Sequence, residues 1–530
     1  MSSESSFGSE HSRVQQVSGN SGPAADDVFE QRNSLTVGLY GLLYTISKEK
    51  RTTPFFFVAL KLSMDFLQLF LLIINPQYGW SLPYKSKAWQ IVSFIQLNTF
   101  MSERGKPFFL TTMYIMVGVL MCMVLLCVWV AWSFQQNSFD HIWPIKVLRV
   151  YSSVFFNLFD IASLTVFLIA LDCQYFDTDA TFINQEFGDA CWALPNLAHV
   201  SISAFSLIVF VVMASLMIMA EMELNPVSRN YLAVTHSRVD TQGFLIKVLM
   251  TCISTFVTNL RWMSVLQCAL ALVLLWSYLY WEPFQHGVMN QIRVGSYAAV
   301  LWCASLLIFL KHLPGVDAQD GNAVVNWEKS LTQAMWLGLG PAFVLGALAS
   351  WVRLYYLQVV VPHRFRRAGP DDKLTQVYRF TDPRQVEIVA RCVRKWVDED
   401  TLQPEAIKTA EVVIKAGVAM LPNNCFMTIL NSSFLIEVVG SYHSGYTQLQ
   451  AAKKQDPSAL ERFAILCREQ EHTQKVSGAQ SGVAAVDLVS YVEFKRNQAL
   501  VLRTHKEALL SMRGFWAMLM STKVSFIMLR

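Results

Sequence analysis

The feature that most constrains this chain is a set of long stretches without a single charged residue. No charge occurs between Lys106 and Asp140, between Asp189 and Glu221, between Arg261 and Glu282, or between Lys329 and Arg353. A bilayer's hydrocarbon core is about 30 Å thick and takes roughly 20 apolar residues of helix to cross. Within it every backbone N–H and C=O must be satisfied inside the segment, which selects the helix. The uncharged stretches therefore predict spanning helices near 108–132, 197–220, 262–281 and 334–353, and Val294 to Leu310 predicts a slightly shorter one. Two further segments are long and apolar enough to span although they carry charge. Pro54 to Ile74 contains Lys61 and Asp65, and Lys146 to Leu171 contains Asn157 and Asp160.

Gly243 to Leu260 is ambiguous, being short and carrying Lys247. It is either an eighth span or a helix lying on the membrane surface. Charge asymmetry bears on the choice, because basic residues collect on the cytosolic side. The segment Asp172 to Asn196 holds Asp172, Asp177, Asp179, Glu186 and Asp189 with no Lys or Arg, and so should face outward. Arg353, Arg364, Arg366 and Arg367 follow the last span and should face the cytosol. Eight spans satisfy both and put both termini inside; seven, the alternative, would put the basic cluster outside. Arg261 in a tight outer turn, and Lys85, Lys87, Arg104 and Lys106 in the first outer loop, argue against eight. Short surface helices are expected at 34–47 and 88–101.

Composition divides the chain. Charged residues make up only 15% and mean hydropathy is +0.34, against about 25% charge in a soluble domain. The apolar excess ends near residue 358. The expected organisation is a disordered Ser- and Gly-rich tail at 1–30, without the apolar core of a cleavable signal peptide, then a multi-pass domain at 31–358. A basic juxtamembrane linker at 359–382, with Arg364, Arg366 and Arg367 near anionic lipid, leads to a helical domain at 383–530. The fold class is all-α: a polytopic helical bundle followed by a cytosolic helical-repeat domain, in the plasma membrane or an endomembrane. A net charge of +4 with no basic stripe argues against nucleic acid. The ten cysteines show no metal-ligand spacing, and no nucleophile elbow, P-loop, HExxH or dinucleotide fingerprint is present. The expectation is a non-enzyme without a cofactor.

The polar residues inside spans are the candidate site. Lys61 and Asp65 are four apart on one helix face and can pair. Asn157 and Asp160 lie about one turn apart in another span and could meet Lys61. An intramembrane charge costs roughly 3 kcal/mol on insertion scales, so these residues should face the bundle interior. They read either as an ion or proton pathway or as a structural ion pair, with Lys61 snorkelling. Glu221 and Glu223 end a span and are expected to be solvated. Cys173 and Cys191 bracket the acidic outer loop and are expected to form a disulfide.

From residue 383 the pattern is helical and soluble, with helices near 383–397, 404–419, 424–439, 443–454, 457–475 and 486–519. Ala410, Ile414, Gly417 and Pro422 recur as Gly445, Leu449, Ala452 and Pro457, an offset within one residue of the tetratricopeptide (TPR) period of about 34. Small residues suit close helix crossings, and proline suits the turn between them. A generic array of helical hairpins is the alternative reading. Segment 486–519 reads as an amphipathic helix packed on the repeats. The chain stops at Arg530 without a capping or tail signal, which reads as a truncated gene model or a short member of a longer architecture.

The sequence resembles the tiny macrocysts B/C-like proteins. The resemblance rests on Leu62–Trp80, Trp143–Val150, Leu158–Cys173, Glu221–Arg229 and Arg293–Ala298, then on Phe380–Val393, Pro404–Phe434 and Tyr491–Trp516. It implies a multi-pass protein with a TPR-like region and a role in membrane signalling or sensing; it carries over no catalytic residues. Three functions follow. The first is a signalling or scaffold protein that presents a helical platform to protein partners at the cytosolic face. The second is a channel or transporter using Lys61, Asp65, Asn157 and Asp160. The third is a receptor that binds a ligand at its disulfide-bracketed outer loop.

Overall fold

In the computed structural model, residues 38–44, 54–83, 104–135, 143–176, 181–312, 321–368, 374–398, 401–480 and 488–528 are described. The expected tail at 1–30 and surface helix at 88–101 lie outside them. Of the expected surface helix at 34–47, residues 38–44 are described and helical.

The first part is a bundle. Its helices are α1 (Phe55–Ile73), α2 (Lys106–Gln135), α3 (Trp143–Tyr151, extended by a wide turn Ser152–Phe156), α4 (Asp160–Leu171), α5 (Asn196–Ala220), α6 (Arg238–Phe256), α7 (Leu260–Trp281), α8 (Gly287–His312) and α9 (Gly321–Tyr355). Six helices are long and apolar enough to cross a membrane, and the α3–α4 pair, bent by 73°, makes a seventh if counted as one span. The count of eight is therefore not met on length and composition. Segment 243–260 does form a helix, α6, but Arg238, Asp240 and Lys247 keep it out of the apolar set. It nevertheless runs alongside the others from one end of the bundle to the other. Its start lines a cavity with Asp382 and Arg384 of the C-terminal region, and near its far end Ser254 Oγ lies 2.7 Å from the Tyr78 hydroxyl, just past α1.

Large apolar side chains cover the outside of the candidate spans, among them Leu125, Trp276, Leu337 and Leu345. Such a surface fits lipid rather than water. Close approach of α8 and α9 depends on small residues. A Cβ on Gly346 would come within 2.5 Å of the Ala298 Cβ and 2.9 Å of the Val294 carbonyl. The all-α expectation leaves out one feature: Cys173–Phe176 and Thr181–Asn184 pair as an antiparallel hairpin, with Cys173 opposite Asn184. Cys173 and Cys191 are joined as a disulfide, which ties this hairpin to the approach to α5.

The C-terminal region contains α10 (Pro383–Ala390), α11 (Pro404–Met420), α12 (Cys425–Phe434), α13 (Tyr442–Lys453), α14 (Ala459–Gln480) and α15 (Leu488–Met528). The expected linker at 359–382 is instead helical through Arg367, because α9 continues across the boundary as a candidate span of Val325–Arg367. Leu354, Leu357, Val361 and Phe365 on that continuation share a core with Phe380, Val386, Val413 and Met427. Arg366 bonds the Thr409 hydroxyl at 3.2 Å, and Arg364 lies over the Tyr356 ring at 5.8 Å, while Arg367 ends the helix.

The repeat residues sit at helix crossings. Ala410, Ile414 and Gly417 are buried on α11, and a Cβ on Gly417 would come 2.7 Å from Val386 of α10. Gly445, Leu449 and Ala452 are buried on α13, and a Cβ on Gly445 would come 2.4 Å from Ile436. Pro422 lies in the turn between α11 and α12, and Pro457 between α13 and α14. Helix α15 departs from expectation. Its described side chains, 500–520, are all exposed, including Phe515 at 59% and Trp516 at 56%, so this part does not pack on the repeats. Its apolar residues are scattered round the helix among charges and give no single stripe to bury.

Candidate functional site

The site begins with a break in a helix. After the wide turn Ser152–Phe156, Leu158 and Phe159 both donate to the Val154 carbonyl, and the chain turns before α4 restarts at Asp160. A break at this depth frees backbone groups that must find partners. Gln68 of α1 supplies them: its Nε2 donates to the Leu158 carbonyl at 2.6 Å and its Oε1 accepts from the Ile161 N–H at 3.3 Å. Asp160, the first residue of α4, accepts from that same N–H at 2.9 Å.

Around this break lies a buried ionic network drawn from four helices. Asp65 on α1 accepts from Lys247 on α6 and from Arg293 on α8, and from the Tyr297 hydroxyl at 3.2 Å. Lys247 also donates to Asp160 on α4 at 3.0 Å. Two carboxylates meet two cations, and all four residues are buried. Balance matters here, since an unpaired charge in such surroundings is strongly destabilising. Arg293 also sits within 6 Å of the Tyr278, Phe284 and Tyr297 rings.

Lys61 and Asp65 do not pair with each other, contrary to the four-residue spacing. Lys61 turns instead to Asn157, donating to its Oδ1 at 3.0 Å, and lies 3.6 Å from Glu221. Asn157 passes the contact on, donating to the Glu221 Oε1 at 2.7 Å. Glu221, expected to be solvated, is thus engaged. The four candidate residues form two adjacent clusters, Asp65 with Asp160 through Lys247, and Lys61 with Asn157 through Glu221. Lys247, Arg293 and Glu221 were not picked out as site residues from the sequence. Lys247 stood out only as an obstacle to a span, and Arg293 fell one residue outside an apolar run. Counting charge would have found them, because two buried aspartates require two cations.

Cavities flank the network. One of about 300 Å³ opens toward the hairpin and is lined by Gln68, Asn75, Tyr78, Asp172, Glu186 and Thr251 among others. Burial raises the Asp172 carboxyl to about 6, and one of its oxygens has no partner. A smaller one of about 40 Å³ lies on the other side, between Lys61, Asp160, Glu221 and Asp240. Among the described residues no group of three or more His, Cys, Asp or Glu is placed to hold a metal.

A second buried polar region joins the bundle to the C-terminal helices. Arg391, just past α10, donates to the carbonyls of Glu282 at 2.9 Å and Phe284 at 2.5 Å, and to both oxygens of Glu387. Glu387 also accepts from the Thr235 hydroxyl at 2.8 Å. Arg394 reaches the carbonyls of Pro226 and Ser228 and the Gln285 side chain. Arg384 lies 3.7 Å over the Trp281 ring. The loops after α5 and α7 thus form a socket for α10.

A bundle of candidate spans with a docked helical-repeat region defines the class: a helical membrane-type protein carrying a TPR-like region. The chain is homologous to Tiny macrocysts proteins B and C of Dictyostelium discoideum. It is 23% identical to protein B over 93% of its own length and 22% identical to protein C over 92%. It spans only 37% and 38% of those two proteins. A family described as TmcB, TPR repeats matches residues 470–530, the region of α14 and α15 beyond Pro457. No solved structure matches.

Proposed function

We propose that this protein is a non-enzymatic membrane scaffold in signalling, presenting its TPR-like helices to protein partners on the cytosolic face. The observation that carries the reading is the socket: buried Arg391 ties α10 to the loops of the bundle. TPR-type helices bind proteins through their exposed surfaces, and the exposed apolar residues of α15 provide such a surface. The orientation follows the charge rule, with the acidic hairpin outside and Arg364, Arg366 and Arg367 inside. Helix α6 then serves as the eighth span, its Lys247 neutralised by Asp65 and Asp160. The test is affinity capture with the full chain in nanodiscs, wild type against Phe515→Ala with Trp516→Ala. Partners lost in the double variant support the reading; no reproducible partner in the wild type overturns it.

A second reading, an ion pathway, is favoured by one observation. The ionic network sits at a broken helix with a cavity on each side, an arrangement that substrate-conducting bundles use. Proteoliposome fluxes left unchanged by Asp160→Asn would sink it.

A further inference from the structure

Four helices start at one place on the junction. Residues at the starts of α6, α10, α12 and α14 line a single cavity of about 100 Å³. A helix start presents unbonded N–H groups and the positive end of the helix dipole, a ready arrangement for an anion. Three of these starts are capped from within the chain. Asp382 accepts from the Arg384 N–H at 2.8 Å, Asn424 from the Met427 N–H at 3.1 Å, and Glu461 from the Ser458 N–H at 2.8 Å.

The start of α6 is different. Its N-cap, Ser237, makes no capping bond, and the buried hydroxyl has no partner. The neighbouring His236 is only 3% exposed, and neither ring nitrogen has a partner. Both residues line the cavity. Buried polar groups normally find partners, and those that do not call for an unfilled ligand or water. The field here is positive. Burial, then Arg384, Arg391 and Arg238, push the His236 imidazole down to about 3, leaving a neutral ring with one N–H to donate. Two carboxylates also line the cavity, but each is engaged. Asp382 takes both arms of Arg384 at 3.0 Å, and Glu461 takes the Ser458 hydroxyl at 2.7 Å with Arg238 at 3.8 Å.

We propose that this cavity binds a phosphate-type anion, held by the Ser237 hydroxyl, the His236 N–H, the first-turn N–H groups of α6 and the Arg238 guanidinium. The bound group would bridge α6 of the bundle to α10, α12 and α14 of the platform. Its phosphate could be free in solution or belong to a lipid headgroup, since the cavity lies at the end of the bundle.

The experiment uses the full chain in phosphatidylcholine nanodiscs. One arm titrates inorganic phosphate at constant ionic strength, read by calorimetry and by the thermal midpoint. The other compares nanodiscs with and without a phosphatidylinositol monophosphate. Ser237→Ala and Arg238→Gln are the variants; the Arg238 side chain is 48% exposed, so that substitution leaves the packing intact. Saturable phosphate binding weakened at least tenfold by both variants is the expected result. Stabilisation by the phospholipid alone, lost in both variants, supports the site and assigns the source to lipid. No saturable binding in either arm, or binding that both variants leave unchanged, overturns the proposal.

Discussion

Inside the bundle, Asp65, Asp160, Lys247 and Arg293 meet one another; at the junction, Arg391 and Arg394 meet mainly the backbone carbonyls of two loops. Both regions bury charge, but they do so with different counterparts. In the bundle each charge has an opposite charge from another helix as its partner. At the junction Arg391 has a carboxylate partner, Glu387 one turn away on its own helix, and its other acceptors, like most of those of Arg394, are uncharged carbonyls of the bundle loops. The first arrangement ties four helices of the bundle to one another. The second keeps its charge pair within one segment and reaches the bundle through carbonyls, so its loss falls on the contact between bundle and platform.

The sharpest way to break this contrast is Asp65→Leu, which leaves Lys247 and Arg293 facing each other with only Asp160 between them. The expected loss is about 3–5 kcal/mol, the range for removing one partner of a buried pair. Thermal unfolding in detergent checks it; a midpoint within a degree of wild type would end the distinction. Next comes Arg391→Ala, which leaves the buried Glu387 with only the Thr235 hydroxyl among the described residues and has an expected loss of about 3 kcal/mol, the lower end of the same range. Hydrogen exchange should then rise in α10 while α7 and α8 stay protected. If α7 and α8 loosen equally, the socket is part of the bundle's own core.

The third effect, spread over several pH units, concerns Glu282, in the turn after α7. Burial raises its carboxyl from 4.5 to about 8, and Ser350 donates to it at 3.1 Å. A carboxyl raised by folding binds its proton more tightly in the native state. Its contribution is therefore full below about pH 4.5 and lost as pH rises through about 8. The wild-type midpoint should fall steadily between those limits. Glu282→Gln should flatten that slope, and an unchanged slope would show that another group governs it.

The spans were legible because a charge-free run is a local property of sequence. The repeat helices were legible for a related reason, as proline and small residues mark turns and crossings. The ionic network was not. Lys247 is 182 residues from Asp65, and Arg293 is 228 residues away, so no local pattern links them. Hydropathy counts such residues against a span and cannot see the partners that neutralise them, which is why α6 was ambiguous. The helix break before Asp160 was hidden because neither Gly nor Pro marks it; Gln68, on another helix, stabilises it. The hairpin after Cys173 was missed because its strands are only four residues long. The spacing of Lys61 and Asp65 misled, since a pair that could close locally instead opens toward two other helices.

The continuation of α9 has a mechanical consequence. From Val325 to Arg367 it forms a candidate span of 43 residues, about 65 Å at 1.5 Å per residue, roughly twice the hydrocarbon thickness. Its far end is embedded in the platform core through Val361 and Phe365. It is therefore a lever whose long arm has a largely apolar outer surface and whose short arm is fixed in the repeats. Any change in the angle of this helix would have to be taken up at its platform end, where the wide turn Tyr356–Val360 interrupts the regular helix.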